Sequence, residues 1–166
     1  MSFNVICNSD DAHYGDNDVY DLTYQFDWCS IPEGEYEMTW SFQMHLKSHP
    51  VSGNDHFEHA VSSISLRDLG IKNTYRCLEE QSSAATSGVI GFCQQLLPEG
   101  SNANADNNDD KVWTKAISYA TWNDNPPVKL MRPTSNTFRV VMLGKSLEIQ
   151  TYVNKAYTLI LHFKKC

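Results

Sequence analysis

Residues 19–28 read VYDLTYQFDW, and residues 35–46 read EYEMTWSFQMHL. In both stretches an apolar side chain occupies every second position, and mostly polar side chains fill the positions between. Successive side chains of a strand point to opposite faces, so this pattern is typical of strands with one buried and one solvated face. The turn between them is marked by Pro32 and Gly34. The two strands are predicted either to pair as antiparallel neighbours or to cross between two sheets.

Further short strands are predicted along the rest of the chain. They lie at 2–7, 61–67, 73–78, 87–97, 112–122, 136–143, 147–153 and 156–164. Gly88 and Gly91 predict a bulge or bend in one of them, and 79–86 is the best helical candidate. Many short strands with few helical signals predict an all-β fold. We expect an antiparallel β-sandwich, a single jelly roll of about eight to ten strands, formed by one domain over residues 1–166.

The composition excludes several classes of protein. The 166 residues include 13 Lys and Arg against 20 Asp and Glu, which gives a net charge of −7. This balance disfavours a nucleic-acid-binding protein, because neutralising phosphates requires clustered basic side chains. No apolar run approaches the ~20 residues that span a bilayer. The opening MSFNVICNSDD lacks the basic and apolar regions of a secretory signal, which predicts a cytosolic, reducing compartment.

Charge is distributed unevenly along the chain. Residues 1–46 contain nine acidic residues and no Lys or Arg, whereas residues 111–166 contain nine basic residues and two acidic ones. Two interpretations remain open. Surfaces of opposite sign can attract like subunits head to tail, or the first and last strands can pair within the fold so that the charges cancel locally.

The cysteines do not predict a disulfide scaffold. The chain contains five, an odd number with no C-x-x-C motif. They are Cys7, Cys29, Cys77, Cys93 and Cys166. Buried free thiols are expected for most of them, and Cys166 is a candidate for a covalent link to a neighbouring molecule.

A histidine-rich segment at 45–59 is the sharpest candidate for chemistry. Its potential ligands are His45, His49, Asp55, His56, Glu58 and His59. Imidazoles and carboxylates bind zinc or iron, and a cupin-type metalloenzyme carries such ligands on a jelly roll. The segment has no H-x-H pair followed closely by a Glu, which favours solvated loop histidines. The acidic run at 9–18 lacks the residue order of a calcium loop. The oxygen-rich run at 104–110 is a candidate for weak binding of a hard cation, but a hydrated loop is favoured for both runs. The sequence therefore predicts no metal site and no cofactor.

Motifs of nucleophilic catalysis and phosphate binding are absent from the sequence, which predicts a protein that is not an enzyme. The chain is rich in aromatic residues, with four Trp and eight Tyr. Exposed rings of this kind serve carbohydrate-binding proteins as stacking platforms, but most lie on the apolar phase of strands and are expected in the core. Trp113 and Trp122 differ in strand parity, so one of them is expected to face outward.

Three stretches resemble a known family: IPEGEYEMTWSF (31–42), NDNPPVKLMRPTSNTFRVVML (123–143) and YTLILHFK (157–164). They are similar to the single jelly-roll minor capsid proteins of large icosahedral double-stranded DNA viruses and their satellites, and they cover about a quarter of the chain. The family pattern is a P-E-G-x-Y turn, an N-P-P…R-P…N-x-F-x-V run and a final Y-x-L-x-L-x-F strand. The matching residues are Pro32, Glu33, Gly34, Tyr36, Asn125, Pro126, Pro127, Arg132, Pro133, Asn136, Phe138, Val140, Tyr157, Leu159, Leu161 and Phe163.

The resemblance implies a structural virion component without catalysis, either a penton subunit or a cement protein assembled in the host cytoplasm. Its partners would be copies of itself in a ring, the major capsid protein or both, and not nucleic acid or a membrane. In a ring, each subunit meets the next through two different surfaces. The candidate interface residues are Asp10, Asp11, Asp16, Asp18, Asn104, Asp106, Asp109, Lys164, Lys165 and Cys166. The alternative function is a carbohydrate- or receptor-binding jelly roll.

Overall fold

The computed structural model describes residues 1–9, 20–44, 61–71, 88–96, 117–144 and 156–166. These ranges form ten strands and a 3₁₀ turn at Trp28–Ser30, without an α-helix. The strands are β1 Ser2–Asn8, β2 Asp21–Gln25, β3 Glu35–Met44, β4 Ser63–Arg67, β5 Val89–Phe92, β6 Gln94–Leu96, β7 Ile117–Ala120, β8 Val128–Met131, β9 Thr137–Leu143 and β10 Tyr157–Lys165. Across the described ranges, no helix has the length and apolar character needed to cross a membrane.

The strands form two antiparallel sheets packed face to face. One sheet has six strands in the order β1-β10-β3-β7-β6, with β8 also paired to β3. The other has four strands in the order β2-β9-β4-β5. The predicted all-β antiparallel sandwich is thus confirmed. β2 and β3 lie in different sheets. The chain therefore crosses between sheets at this point, which was one of the two predicted alternatives.

The strand pairs are nested along the chain. β1 pairs with β10, β2 with β9, β3 with both β7 and β8, and β4 with β5. β7 and β8 pair with successive parts of β3, so they occupy the place of a single strand that is interrupted at 121–127. This is the pairing of one long antiparallel ribbon. Wrapping of the ribbon brings β10 against β3 and β9 against β4.

The core lies between the sheets and follows the alternating pattern of the sequence. On β3, Tyr36, Met38 and Trp40 are buried, and the residues between them are half-buried. The four-stranded sheet contributes buried side chains such as Leu22 and Phe138. Burying one large apolar side chain stabilises the fold by roughly 1.5–3 kcal/mol. The two alternating stretches therefore supply much of the free energy that holds the sheets together.

Aromatic rings close one end of the core. Trp28 packs edge-on against Phe26, with ring centroids 4.6 Å apart, and against Phe163 at 5.3 Å. Phe3 stacks on Phe163 with centroids 5.0 Å apart. Edge-to-face and stacked ring pairs add stabilisation beyond the area they bury. These contacts join the first strand, the last strand and the turn after β2.

β2 ends at Gln25 although the apolar alternation continues to Trp28. The Asp27 carboxylate accepts a hydrogen bond from the Cys29 amide at 3.1 Å and caps the 3₁₀ turn. Trp28 still reaches the core from this turn. The alternation thus predicted correctly that this side chain is buried. It predicted wrongly that the strand continues to Trp28, because β2 ends at Gln25.

The predicted strand at 87–97 is divided. The register of β4 and β5 shifts between Ile64 and Ser65, at the part of β5 between Gly88 and Gly91, which confirms the predicted bulge or bend. β5 then ends, and β6 joins the other sheet. β8 was not predicted, because only four residues separate Pro127 from Arg132. The predicted strands at 73–78 and 147–153 and the helix at 79–86 lie outside the described residues.

Candidate assembly surfaces

The outer face of the six-stranded sheet points away from the core and carries mostly polar side chains. Three rows of cross-strand neighbours cross it: Ser2–Lys164–Glu37–Lys129, Asn4–His162–Thr39 and Ile6–Ile160–Ser41. All of these residues are exposed or half-buried. Nδ1 of His162 lies 2.6 Å from Oδ1 of Asn4. The face is therefore neutral and polar, with a band of charge at one end.

Charges within this band alternate in sign. Glu37 on β3 lies directly between Lys164 on β10 and Lys129 on β8. Opposite charges on neighbouring strands stabilise a sheet, and like charges destabilise it. The first and last strands also pair, as one of the two interpretations of the uneven charge predicted. In this band an acidic residue from the first part of the chain thus lies between two basic residues from the last part, Lys129 and Lys164.

An ion pair fastens the four-stranded sheet. The Arg139 guanidinium donates two hydrogen bonds to the Asp21 carboxylate, from Nε to Oδ1 at 3.0 Å and from Nη2 to Oδ2. The hydrogen bond to Asp21 raises the pKa of Arg139. A bidentate pair of this kind fixes geometry as well as charge. Asp21 and Arg139 therefore hold β2 against β9 rather than presenting free charges to a partner.

Arg132 locks the P-E-G turn. Its Nη1 donates to the carbonyl oxygen of Ile31 at 2.9 Å, and its Nη2 donates to Oε1 of Glu33 at 2.9 Å. Its backbone amide donates to the Gly34 carbonyl at 2.9 Å. The guanidinium satisfies carbonyl groups that the turn leaves outside any sheet. The first two stretches of the capsid-protein resemblance thus meet at one point in space.

Two further residues of the resemblance serve as internal fasteners. The Tyr36 hydroxyl donates to the Pro32 carbonyl at 2.7 Å and closes the turn from inside. The Asn125 side chain accepts from the Phe92 amide at 2.9 Å and donates to the Phe92 carbonyl at 3.0 Å. The Asn125 side chain thus makes the two backbone hydrogen bonds at Phe92 that a neighbouring strand would make. Sequence reasoning did not identify these roles, because the partners are far apart along the chain.

Known proteins offer no direct guide to these surfaces. No family model, curated protein or solved structure matches this chain.

Three predicted interface residues lie together at the end of β10. Lys164 and Cys166 are exposed, and Lys165 is half-buried. The stem of Lys165 covers Gly34, where an added Cβ would lie 3.1 Å from the lysine Cε. The Cys166 amide donates to the Glu35 carbonyl at 3.0 Å. The other candidates fall outside the described residues: Asp10, Asp11, Asp16, Asp18, Asn104, Asp106 and Asp109.

The four described cysteines are free and differ in exposure. Cys7 is fully buried, and burial raises the pKa of its thiol to about 12. Burial, and secondly the charge of Asp124, raises the pKa of Cys93 to about 12. Cys29 and Cys166 are exposed. The expected buried thiol is confirmed at Cys7, and Cys77 lies outside the described residues.

A shallow groove of about 410 Å³ lies between β3, β7 and β10. Polar residues such as Gln43 and Tyr119 line it together with apolar ones such as Phe42 and Ile160, and most of its exposed surface is apolar. The Tyr119 hydroxyl donates to Oε1 of Gln94 at 2.8 Å. Trp122 is 50% exposed just beyond the end of β7. Trp122 thus fits the expectation of one outward ring, and Trp113 lies outside the described residues.

The metal hypothesis concerns residues that the structure does not describe. The candidate segment at 45–59 lies outside the described ranges. Within those ranges, no three His, Cys, Asp or Glu side chains come together as metal ligands. The cupin-type alternative therefore gains no support from the described sheets.

Proposed function

We propose that this chain is a minor capsid component of an icosahedral double-stranded DNA virus, a penton subunit or a cement protein that acts through protein–protein assembly. The observation that carries the proposal is the nested order of strand pairs. Pairing of first with last, second with next to last and so on, wrapped into two sheets, is the arrangement expected of a single jelly roll. Viral capsid domains are one of the classes built on that fold.

The locked turn adds independent support. Glu33 and Gly34 belong to one stretch of the family resemblance and Arg132 to another, and hydrogen bonds join all three. Residues that depend on one another in this way are expected to occur together in proteins that share the turn. Two of the three stretches of the resemblance thus share one set of mutually dependent contacts.

The surface chemistry favours assembly over catalysis. The charges of the band alternate in sign across β10, β3 and β8, and the buried Cys7 has a pKa far above neutral pH, which makes it a poor nucleophile. Polar sheet faces with charges of alternating sign suit contacts whose orientation is set by complementarity. The proposed protein has no cofactor, and its proposed location is the virion.

Copurification with virus particles tests the proposal. Particles from infected cells are separated on a density gradient, and peptides of this chain are quantified against those of the major capsid protein. The proposal expects a constant ratio across the particle peak, which survives a salt wash. Recovery of the chain only in the soluble host fraction would reject it.

A second candidate function is favoured by the groove beside Tyr119. Carbohydrate-binding sites combine neutral polar side chains with an exposed aromatic ring. Trp122 directly follows Thr121, one of the residues that line the groove. A glycan array probed with the wild-type protein and with Trp122→Ala distinguishes this function. A sugar ligand lost in the variant would favour carbohydrate binding, and absence of any signal at high protein concentration would leave assembly as the better proposal.

A further inference from the structure

The first strand, β1, lies at an edge of the six-stranded sheet. One side of β1 pairs with β10 along all seven residues of the strand. Of the strands that the structure describes, none pairs with its other side. The strand sequence SFNVICN has no charged residue and no Pro. β1 therefore lacks the features with which natural sheets block pairing at an exposed edge.

The hydrogen-bond register decides which backbone groups point outward. The Lys165 amide donates to the carbonyl of Met1, the residue opposite it, at 3.0 Å. In an antiparallel pair, hydrogen-bonded and non-hydrogen-bonded positions alternate. The backbone groups of the odd-numbered residues of β1 consequently point toward β10, and those of Ser2, Asn4 and Ile6 point away from it.

The other described sheet edges are protected. β2 carries Asp21, which is held in the ion pair with Arg139. β5 contains the register shift next to Gly91, and β6 has only three residues. β8 pairs with β3 alone among the described strands, and it has only four residues, one of them Lys129. Charge, bulges and short length are the usual means of blocking edge pairing. β1, by contrast, carries an apolar side chain, Ile6, that is 64% exposed on the outer face of the sheet.

We propose that β1 pairs with β1 of a second copy of this chain, antiparallel and across a two-fold axis at Asn4. In this register Ser2 lies opposite Ile6 of the second copy, and the two Asn4 residues lie opposite each other. The outward backbone groups then meet in about six hydrogen bonds. The two six-stranded sheets become one continuous sheet, and the shared axis closes the assembly as a dimer.

Charge is compatible with this arrangement. The seam itself contains no charged side chain, and the nearest lysine, Lys164, lies one strand inward, opposite Ser2. From strand spacing and rise, the two Lys164 residues of the dimer would be about 20 Å apart. That separation exceeds the screening length of about 8 Å at physiological salt. The proposal depends on edge geometry and stands independently of the proposed role in a capsid.

Sedimentation of the purified full chain, from about 1 µM to about 1 mM, measures the self-association. We expect dimers to form as the concentration rises. Ile6→Lys places a charge in the seam and should raise the dimer Kd at least ~10-fold. The matched control is Met131→Lys, since Met131 is 65% exposed in the same sheet but belongs to β8. The control should leave the Kd unchanged.

The backbone contribution is tested separately. Ile6→Pro removes an amide that points away from β10, so it leaves the β1–β10 pairing intact and should abolish the dimer. Hydrogen exchange on the wild-type protein needs no variant. The amides of Ser2, Asn4 and Ile6 should exchange fast in dilute samples and become protected as the dimer forms.

Three results would overturn the proposal. One is a monomer at every concentration. Another is equal weakening by Ile6→Lys and Met131→Lys, which would indicate general apolar association. The third is protection of the Ser2, Asn4 and Ile6 amides in the monomer, which would mean that another part of the same chain covers the edge. If Ile6→Pro does not fold, the exchange measurement decides.

Discussion

At Gly88 the surrounding backbone leaves no room for a side chain. Its φ is +75°, and an added Cβ would lie 2.3 Å from the carbonyl oxygen of Leu66. The Leu66 amide in turn donates to the Gly88 carbonyl at 2.9 Å. Gly70 has a similar φ of +70° but open space around it. Substitution of Gly70 would therefore cost stability only through the backbone conformation, whereas substitution of Gly88 would add a steric clash.

Gly88→Ala is expected to lower the free energy of unfolding by more than about 3 kcal/mol, because a backbone carbonyl cannot move aside without loss of the β4–β5 contact. Gly70→Ala is expected to cost only about 1–2 kcal/mol from the left-handed conformation. Urea unfolding followed by tryptophan fluorescence measures both variants. Equal losses would show that the clash at Gly88 is relieved elsewhere.

The cysteines give a second prediction for single residues. Cys29 and Cys166 are exposed, whereas Cys7 is buried with a pKa raised to about 12 by desolvation. Because the thiolate is the reactive form, alkylation at pH 8 should modify Cys29 and Cys166 at least ~100-fold faster than Cys7. Peptide mass spectrometry of a time course measures the rates. In urea the difference should disappear, and a fast Cys7 in the folded protein would contradict the described core.

At the scale of elements, the turn between β2 and β3 depends on a strand that lies far along the chain. Arg132 follows β8 and donates to the Ile31 carbonyl and to Glu33. The turn has hydrogen bonds of its own, such as those made by the Asp27 carboxylate and the Tyr36 hydroxyl. The guanidinium adds donors from a distant part of the chain and fixes the entry into β3. The longest alternating strand of the core thus begins at a position set by β8.

Arg132→Ala is expected to lower the free energy of unfolding by about 2–3 kcal/mol, because carbonyl groups of the turn lose their donor. Glu33→Gln should cost less than about 1 kcal/mol, since the Glu33 side chain is 84% exposed and an exposed ion pair stabilises little. Urea midpoints measure the difference. If the two variants lose equal stability, the ion pair and not the carbonyl contacts fastens the turn.

At the scale of the whole molecule, a hydrogen bond between two tyrosine hydroxyls joins the sheets, and the core contains groups that ionise only at high pH. The Tyr24 hydroxyl of one sheet donates to the Tyr157 hydroxyl of the other at 3.0 Å. Burial raises the pKa of Tyr157 above its usual value, and burial raises that of Cys7 to about 12. Neither group titrates in the folded state near neutral pH. Both titrate earlier in the unfolded chain.

These shifts predict how stability depends on pH. Below the unfolded pKa of Cys7, 9.0, the thiol is neutral in both states and has no effect. Between 9.0 and about 12 only the unfolded state releases the proton, so stability falls by about 1.4 kcal/mol per pH unit for this group. Urea midpoints at pH 8–11 should therefore decline, and Cys7→Ala should show a shallower decline. Parallel curves would contradict the assignment.

Much of the sandwich could be predicted from the sequence, because side-chain alternation is a local property of a strand. The buried and solvated faces of β3 and β10 follow it residue by residue. β8 could not be predicted in this way, because its four residues are too few to show a clear alternation of buried and exposed side chains. The candidate surface was predicted only in part, with Lys164, Lys165 and Cys166 described and the acidic candidates outside the described residues.

The sequence by itself determined which side chains enter the core, because the period of two belongs to each strand separately. Only the tertiary structure decided which strands became neighbours. Glu33 and Arg132 are 99 residues apart along the chain, and Tyr24 and Tyr157 are 133 apart. Contacts of that kind arise from the wrapping of the whole ribbon. The same wrapping left β1 at an edge of the six-stranded sheet, a position that its own seven residues do not specify.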